Sequence, residues 1–194
     1  MMGEFMTKLR KNDSISARAV EFLILTAVRS GSVRQAEWSE IDFEKKLWII
    51  PAEHTKARQE HRVPLQPQAT KLLRSMPIMA GTNIIFPSPK GKSLSDMALS
   101  QLMRGMRDRG ELTVEGVPHG FRSSFRDWAA EQTNYPDEIR KAASGHTVGD
   151  AVKEAYQRTD LLEKRRQLMI EWAIFLDYNN TQNSAKILPL KRNR

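Results

Sequence analysis

Helical periodicity near both ends of the chain limits the possible fold class more than any other feature. Apolar residues recur at steps of three and four over residues 17–28 and again over residues 161–176. Each pattern predicts an amphipathic helix with one buried face, so the core is expected to include both. Ser14 or Ser16 is the predicted N-cap of the first helix, and Gly31 is its predicted end.

Short apolar runs between these helices predict strands. Residues 41–50 resemble two strands joined by a polar turn, and residues 61–65 resemble a third strand in which Pro64 implies an edge position or a strand end. The polar segment 53–60 connects the second and third strands, which places Lys56 at or near the tip of a hairpin. The expected fold is therefore mainly α with a small antiparallel β-sheet, an α+β class.

Further helices and the domain limits follow from the same patterns. Additional helices are predicted at 33–38, 68–76, 95–109 (capped by Ser95 and Asp96), 119 onward, 136–145 and 148–156. Residues 1–13 are polar and start with a doubled methionine, so they are interpreted as a disordered or artefactual N-terminus. Residues 14–178 are predicted to be one domain, followed by a flexible basic tail at 179–194.

Composition narrows the class of partner. The 194-residue chain has a net charge of +8, which favours a polyanion such as nucleic acid. It contains no cysteine, which excludes disulfides and thiolate metal sites and fits a cytoplasmic protein. It has no apolar run long enough for a transmembrane helix and no signal peptide pattern. The four histidines lack the close helical pairing of metal ligands, so no metal is expected.

One ordered set of polar residues suits metal-free phosphoryl transfer to DNA. The set comprises Arg29, Lys56, His119, Arg122, His146 and Tyr156. A tyrosine oxygen can form a covalent phosphate ester, and arginine forks match phosphate oxygens. Lysine and histidine can transfer protons near neutral pH.

The order and spacing of this set resemble the catalytic domain of the tyrosine recombinases, also called phage integrases. The resemblance is closest to integrases of prophages and genomic islands and runs over about residues 17–176. It is carried by the segments that begin at Leu23, Leu47, His119 and Ser144. The resemblance implies the tyrosine recombinase catalytic-domain fold and a reaction that needs no cofactor.

The resemblance also implies a role for each residue of the set. Tyr156 would be the nucleophile that forms a 3′-phosphotyrosyl link, and Arg29 and Arg122 would bind the non-bridging oxygens of the scissile phosphate. Lys56 would protonate the departing 5′ oxygen. The reaction would be strand exchange without net hydrolysis, because the bond energy stays in the ester.

Other polar residues receive less specific interpretations. His119 is expected to contact the phosphate and to assist deprotonation of the tyrosine, and His146 is expected to contact a phosphate oxygen. Arg58, Arg62 and Arg126 are candidates for DNA binding. The remaining residues of these types are assigned to structure, namely His54, His61, Tyr135 and Tyr178.

The sequence departs from the family pattern at Ser32. The family has an acidic residue three positions after the first arginine, whereas this chain has Arg29-Ser30-Gly31-Ser32. Gln35 also replaces a glycine of many relatives. A serine cannot neutralise nearby cations, so we expect weakened activity, a compensating acid such as Glu37 or Glu40, or an engineered or drifting copy of the gene.

The implied partner is double-stranded DNA at an attachment or core site. Family members act as four protomers on two duplexes, so a homotetramer on DNA and a monomer without it are expected, in a nucleoid-associated cytoplasmic protein. The family also places a helical DNA-clamping domain before the catalytic one, so this chain resembles a catalytic fragment. Three alternatives are a degenerate domain that binds DNA without cutting, a helix-turn-helix regulator and a topoisomerase-like enzyme.

Overall fold

A computed structural model of the protein describes residues 2–112, 116–146 and 161–181, with side chains described up to Asp177 in the last segment. The helices are α1 Met2–Arg10, α2 Ile15–Thr26, α3 Ser30–Arg34, α4 Pro67–Ser75, α5 Ala98–Asp108, α6 Gly120–Glu131, α7 Asp137–Ala143 and α8 Leu162–Thr181. The strands are β1 Ile41–Asp42, β2 Leu47–Ile50 and β3 His61–Pro64. The mainly α fold with a small sheet is thus confirmed. The helix predicted at 148–156 and the predicted tail from residue 182 onward lie outside the described residues, whereas residues 179–181, also predicted as tail, belong to α8.

Helix α2 forms the centre of the domain, and its start follows the prediction. The Ser14 side chain accepts a hydrogen bond from Ala17 N at 3.2 Å, as an N-cap does. Its predicted end at Gly31 is wrong. The helix ends at Thr26 because Ala27 adopts a left-handed conformation with φ 53°, and Gly31 lies inside α3. Because the helix ends here, the residues that follow leave the direction of the α2 axis.

The three strands pair in the order β1-β2-β3, and both pairs are antiparallel. Trp48 of β2 lies opposite Val63 of β3, and both are buried. Pro64 is the last residue of the edge strand β3, as predicted, where its missing N–H costs no ladder hydrogen bond. A 3₁₀ turn at Ala52–His54 begins the β2–β3 connection, so the hairpin predicted to carry Lys56 is confirmed.

An aromatic cluster packs α8 against α2 and α6. The fully buried Trp172 contacts Phe125, Trp128 and Phe175 with ring centroids 5.0 to 5.6 Å apart. Its indole N–H donates to the Ile24 carbonyl at 2.8 Å, which satisfies the one polar atom of the Trp172 side chain. Within the described ranges, no helix is both long enough and apolar enough to span a bilayer.

The N-terminal prediction is wrong for Met2–Arg10, which forms helix α1 and packs against α8 and α2. Phe5, Met6 and Leu9 are buried, and the Phe5 ring stacks on Phe121 at 5.2 Å. Arg10 donates to both Glu21 and Asp177. The apolar spacing is i, i+3, i+4 and i+7 from Met2, but one short stripe in a polar segment is a weak signal on its own.

Replacement of Phe5 by Leu should therefore lower the free energy of unfolding by about 1 kcal/mol, because it removes a stacked ring but keeps an apolar side chain. The thermal midpoint should fall by about 2–4 °C. Glu4→Gln is the matched control, since Glu4 lies in the same helix and forms only an exposed pair with Lys8. Equal midpoints for Phe5→Leu and the parent chain would contradict the packing of α1.

Two local predictions also require correction. Ser95 and Asp96 do not cap α5 with their side chains, since Met97 occupies the N-cap position and Asp96 pairs with Arg34 instead. The helix predicted at 33–38 is replaced by α3, which starts earlier, and by a 3₁₀ turn at Trp38–Glu40. In both places the chain contacts another segment, since backbone hydrogen bonds also join Trp38 N to the Asn83 carbonyl and Ile85 N to the Ala36 carbonyl.

Candidate active site

Three segments that are distant in sequence converge at one place: the connection from α2 to α3, the first turn of α6, and the turn after α7. They contribute Arg29, Arg122 and His146, respectively. Arg122 Nη2 lies 3.2 Å from His146 Nδ1 and 3.4 Å from Nε2. Arg29 Nη1 donates at 3.2 Å to the carbonyl of Gly145, which directly precedes the histidine. The fold thus brings together three of the six predicted residues.

Arg122 is the most deeply buried member, with 3% of its surface exposed. Its Nη1 donates to the Ala27 carbonyl at 3.0 Å, at the residue that ends α2. Burial, together with the charges of Arg29 and Arg126, lowers the pKa of the guanidinium to about 10. It therefore stays protonated at neutral pH, in surroundings that oppose its charge.

The turn after α7 holds the histidine in place. His146 N donates to the Lys141 carbonyl, and Gly145 N donates to the Ala142 carbonyl, which is the Schellman arrangement. Gly145 has φ 63°, a conformation that favours glycine. The Ser144 hydroxyl lies 2.9 Å from His146 Nδ1 and orients the ring.

His146 is neutral at physiological pH. Burial, followed by the charges of Arg122, Arg126 and Arg29, lowers its pKa to about 4. A neutral imidazole keeps one N–H to donate and one lone pair to accept. The site therefore combines fixed arginine charges with an uncharged hydrogen-bonding ring.

The charge of the site is not balanced locally. In the part of the chain that the structure describes, no carboxylate pairs with Arg29 or Arg122. Two neighbouring guanidinium groups without a counterion favour an anion, and their forked geometry matches phosphate oxygens. Among the same residues, no group of three His, Asp or Glu side chains could hold a metal ion.

The other three members of the predicted set lie in different settings. His119 occupies the N-cap position of α6 with an exposed ring, and its carbonyl accepts from Arg122 N at 3.2 Å. Lys56 is exposed in the β2–β3 connection. Tyr156 lies outside the described residues. For these side chains, the proposed roles stay predictions.

The predicted DNA-binding arginines differ in exposure. Arg58 and Arg126 are exposed, and Arg126 is near enough to lower the pKa of both Arg122 and His146. Arg62 is half-buried in β3, and its carbonyl accepts from Arg165 Nη1 at 2.6 Å. Contact of these three side chains with DNA remains a prediction.

Two residues near the site were not identified from sequence. Arg165 of α8 is almost fully buried. Its burial could have been predicted from the sequence, because Arg165 falls on the apolar stripe of that helix. His61 was assigned to structure, yet burial and then the charges of Arg165, Arg122 and Arg29 lower its pKa to about 3. Its buried Nε2 has no hydrogen-bond partner among the described residues. The His61 ring faces Gly145, so it lies beside the arginine cluster.

Tyr135 was also assigned a structural rather than a catalytic role, and its contacts agree with that assignment. Its hydroxyl donates to Glu171 at 2.7 Å, which links the loop before α7 to α8. Burial and then the adjacent carboxylate raise the pKa of Tyr135 to about 12, which disfavours the phenolate that a nucleophile must become.

The two acids proposed to replace the missing one at Ser32 are engaged elsewhere. Glu40 accepts from Trp48 Nε1 at 2.7 Å and contacts His54 Nδ1 at 2.6 Å. Glu37 accepts from Asn83 and Ser39. Neither of these contacts reaches the arginine cluster.

Comparison with known proteins supports the sequence resemblance. The family described as "Phage integrase family" matches residues 2–162. "Prophage integrase IntA" of Escherichia coli K12 is 36% identical over 151 residues, which cover 77% of this chain and 36% of that protein. The "Integrase" of Enterobacteria phage P4 is 32% identical over 197 residues, covering 92% and 44%, respectively. The chain therefore spans less than half of each relative.

Solved structures share the fold at low sequence identity. The XerA recombinase superposes with a TM-score of 0.61 and 16% identity, over 81% of this chain and 61% of that one. A lambda integrase tetramer bound to a Holliday junction superposes with a TM-score of 0.56 and 20% identity, over 76% and 45%. These similarities confirm the predicted recombinase catalytic-domain fold.

Proposed function

Because the chain belongs to the phage integrase family of tyrosine recombinases, we propose that it catalyses site-specific DNA recombination by breaking and rejoining strands through a 3′-phosphotyrosyl intermediate. The observation that carries the proposal is the pair formed by the buried Arg122 and the half-buried Arg29, which has no carboxylate partner in the described part of the chain. Such a pair can stabilise the charge that phosphoryl transfer spreads over the non-bridging oxygens.

The donors of this site are held in place before substrate arrives. Arg122 is fixed by the Ala27 carbonyl and Arg29 by the Gly145 carbonyl, so each guanidinium keeps further N–H groups for a phosphate. His146, neutral and oriented by Ser144, can donate to a third oxygen. Preorganised donors cost little reorganisation during reaction, which is the main source of catalysis at such sites.

The proposed first step is an in-line displacement at phosphorus. The Tyr156 oxygen forms a bond to phosphorus while the bond from phosphorus to the 5′ oxygen breaks. The phenolic proton passes toward His119, and Lys56 gives a proton to the departing 5′ oxygen. In the second step a 5′ hydroxyl of the partner duplex attacks the phosphotyrosyl link and releases the tyrosine. No nucleotide or metal is consumed in either step.

The proposed partner is double-stranded DNA that carries an attachment or core site. A structural neighbour, lambda integrase, is bound to a Holliday junction as a tetramer, which supports the same assembly for the active form of this chain. We propose a monomer in the absence of DNA, and residues 14–178 together with α1 as the catalytic unit. A cytoplasmic, nucleoid-associated location accords with these proposals.

Trapping on a nicked duplex tests the proposal. A duplex with the cognate core site and a nick just beyond the scissile phosphate loses a short fragment on cleavage, so the covalent intermediate accumulates. The parent chain without metal should give a band of reduced mobility on a denaturing gel. Tyr156→Phe lacks only the phenolic oxygen and should give none. An identical band from Tyr156→Phe would contradict the assignment of the nucleophile.

One observation favours a second function, that of a domain that binds DNA without cutting it. Ser32 is neutral and donates to the His54 carbonyl at 2.8 Å, so it supplies no charge to the cations nearby. Absence of any adduct from the parent chain, with salt-sensitive retention of the same duplex, would support this function. Addition in trans of an N-terminal DNA-binding segment from a relative would then test whether cleavage requires that segment.

A further inference from the structure

The loop that carries Lys56 closes upon itself. Arg58 N donates to the Thr55 carbonyl at 3.3 Å, which is the hydrogen bond of a β-turn with Lys56 at its second position. The Thr55 hydroxyl donates to the Gln59 carbonyl at 2.8 Å and accepts from Gln59 N at 3.1 Å. The turn therefore holds its own shape, but these contacts do not attach it to the body of the domain.

The attachment is made by His54, two residues before Lys56. The carbonyl of His54 accepts from the Ser32 hydroxyl at 2.8 Å. Its ring Nδ1 lies 2.6 Å from Glu40 Oε1. Ser32 belongs to α3, which begins directly after Arg29, so a single residue ties the hairpin to the segment that positions the arginine.

The Glu40 carboxylate makes this attachment specific. Its side chain is 7% exposed, and its second oxygen accepts from Trp48 Nε1 at 2.7 Å inside the sheet. A buried carboxylate costs free energy unless its oxygens are bonded. The indole and the Glu37 N–H donate to one oxygen and the imidazole contacts the other, so displacement of His54 deprives a buried carboxylate oxygen of this partner. The hairpin base consequently has one strongly preferred position.

We propose that His54 and Glu40 are positioning residues that hold the Lys56 hairpin at the reaction site. The inference rests on the proposed function, in which Lys56 protonates the departing 5′ oxygen. A general acid works only within hydrogen-bond reach of the atom it protonates, and a long side chain on an exposed turn reaches that atom only if the turn is held. The imidazole–carboxylate contact supplies that restraint, with Ser32 as its second point of attachment.

Substrates that differ in the leaving atom distinguish misplacement of the general acid from a general loss of activity. Two nicked duplexes are compared, one with the natural 5′ oxygen at the scissile bond and one with sulfur in that bridging position. A thiolate leaves without protonation because a thiol is a much stronger acid than an alcohol. Loss of the general acid should slow cleavage of the oxygen substrate alone. Lys56→Ala sets the reference, with an expected loss of about 10²–10⁴ on oxygen.

His54→Leu should slow adduct formation about tenfold on the oxygen substrate and less than about twofold on the sulfur substrate, because partial misplacement costs part of the general-acid contribution. His54→Asn should recover most of the rate, since its amide can donate from the position of Nδ1. Glu40→Gln serves as a second variant, because its amide keeps one acceptor oxygen for Trp48 and replaces the oxygen that contacts His54 by an NH₂ donor. Glu53→Gln, an exposed change in the same 3₁₀ turn, is the matched control and should match the parent.

The outcomes distinguish the two proposals. If the parent chain forms no adduct with either substrate, the proposed function fails. If the parent reacts, two results for His54→Leu overturn the positioning role. Adduct formation is slowed equally on both substrates, or it is slowed on neither. Failure of His54→Asn to recover the rate would likewise overturn it. Thermal midpoints of all variants identify any that do not fold, and Glu40→Gln then carries the same test.

Discussion

Arg122→Met should reduce the rate of covalent adduct formation by about 10²–10³, the loss seen when one preorganised donor to a developing anion is removed. Methionine keeps much of the length and apolar volume of the arginine stem but has no N–H group. It therefore removes the proposed phosphate ligand together with the contact to His146. The loss should appear in the single-turnover rate on the nicked duplex.

The same substitution should change the free energy of unfolding by less than about 1 kcal/mol, because two effects oppose each other. The Ala27 carbonyl loses its donor, which destabilises the fold. The charged form of Arg122 is disfavoured in the folded state, as its lowered pKa indicates, so removal of the charge stabilises the fold. A site that lowers stability in order to bind a substrate anion behaves in this way.

Two measurements check this prediction. Thermal unfolding of the variant should stay near that of the parent, while trapping should show the rate loss. Arg104→Met, an exposed change on α5, is the matched control and should leave both unchanged. A large loss of stability without any loss of rate in Arg122→Met would contradict the assignment of the arginine to the phosphate.

Gly145→Ala should lower the free energy of unfolding by about 1–3 kcal/mol and slow adduct formation at least tenfold, because a non-glycine residue in the left-handed region costs about 1–2 kcal/mol before any contact is counted. An alanine Cβ would lie 3.1 Å from His61 Nε2, so that ring must also move. The carbonyl of Gly145 holds Arg29, and the next residue is His146. A shift of this turn therefore displaces two proposed phosphate ligands.

A second glycine provides the matched control. Gly110 ends α5 in the same arrangement, with φ 71°, but an added Cβ there meets nothing within 4 Å. Gly110→Ala should show the cost of the backbone conformation alone and should leave the cleavage rate unchanged. The double variant His61→Ala with Gly145→Ala should recover the part of the lost stability and rate that the clash with the His61 ring causes. Equal unfolding energies and rates for the two glycine variants would contradict the prediction.

Local patterns predicted the elements whose signal is complete within a short stretch of sequence. The Ser14 cap, the strand ending at Pro64 and the helix predicted from residue 119 onward all appear in the structure. Each depends on interactions over a few residues, such as a cap or a periodic apolar face. The ordered set from Arg29 to Tyr156 also identified the family, because the order and spacing of residues can be read from the sequence without knowledge of the fold.

The errors occurred where a distant contact decided the outcome. Helix α1 is stabilised by contacts with α6 and α8, and the short apolar stripe in its nine residues does not specify those partners. Asp96 pairs with Arg34 rather than capping α5, and Glu40 binds Trp48 and His54 rather than an arginine. A carboxylate has several possible partners, and only the fold determines which one is near.

Residue types, periodicity and spacing are encoded locally, so the fold class, the family and the residues that could act on a phosphate were predictable from the sequence. Long-range packing was needed to bring Arg29, Arg122 and His146 together beside His61, and to place His54 against Ser32 and Glu40. Burial, charge coupling and hydrogen-bond partners arise from long-range packing. The pKa values and the preorganisation on which the proposed chemistry depends follow from that packing.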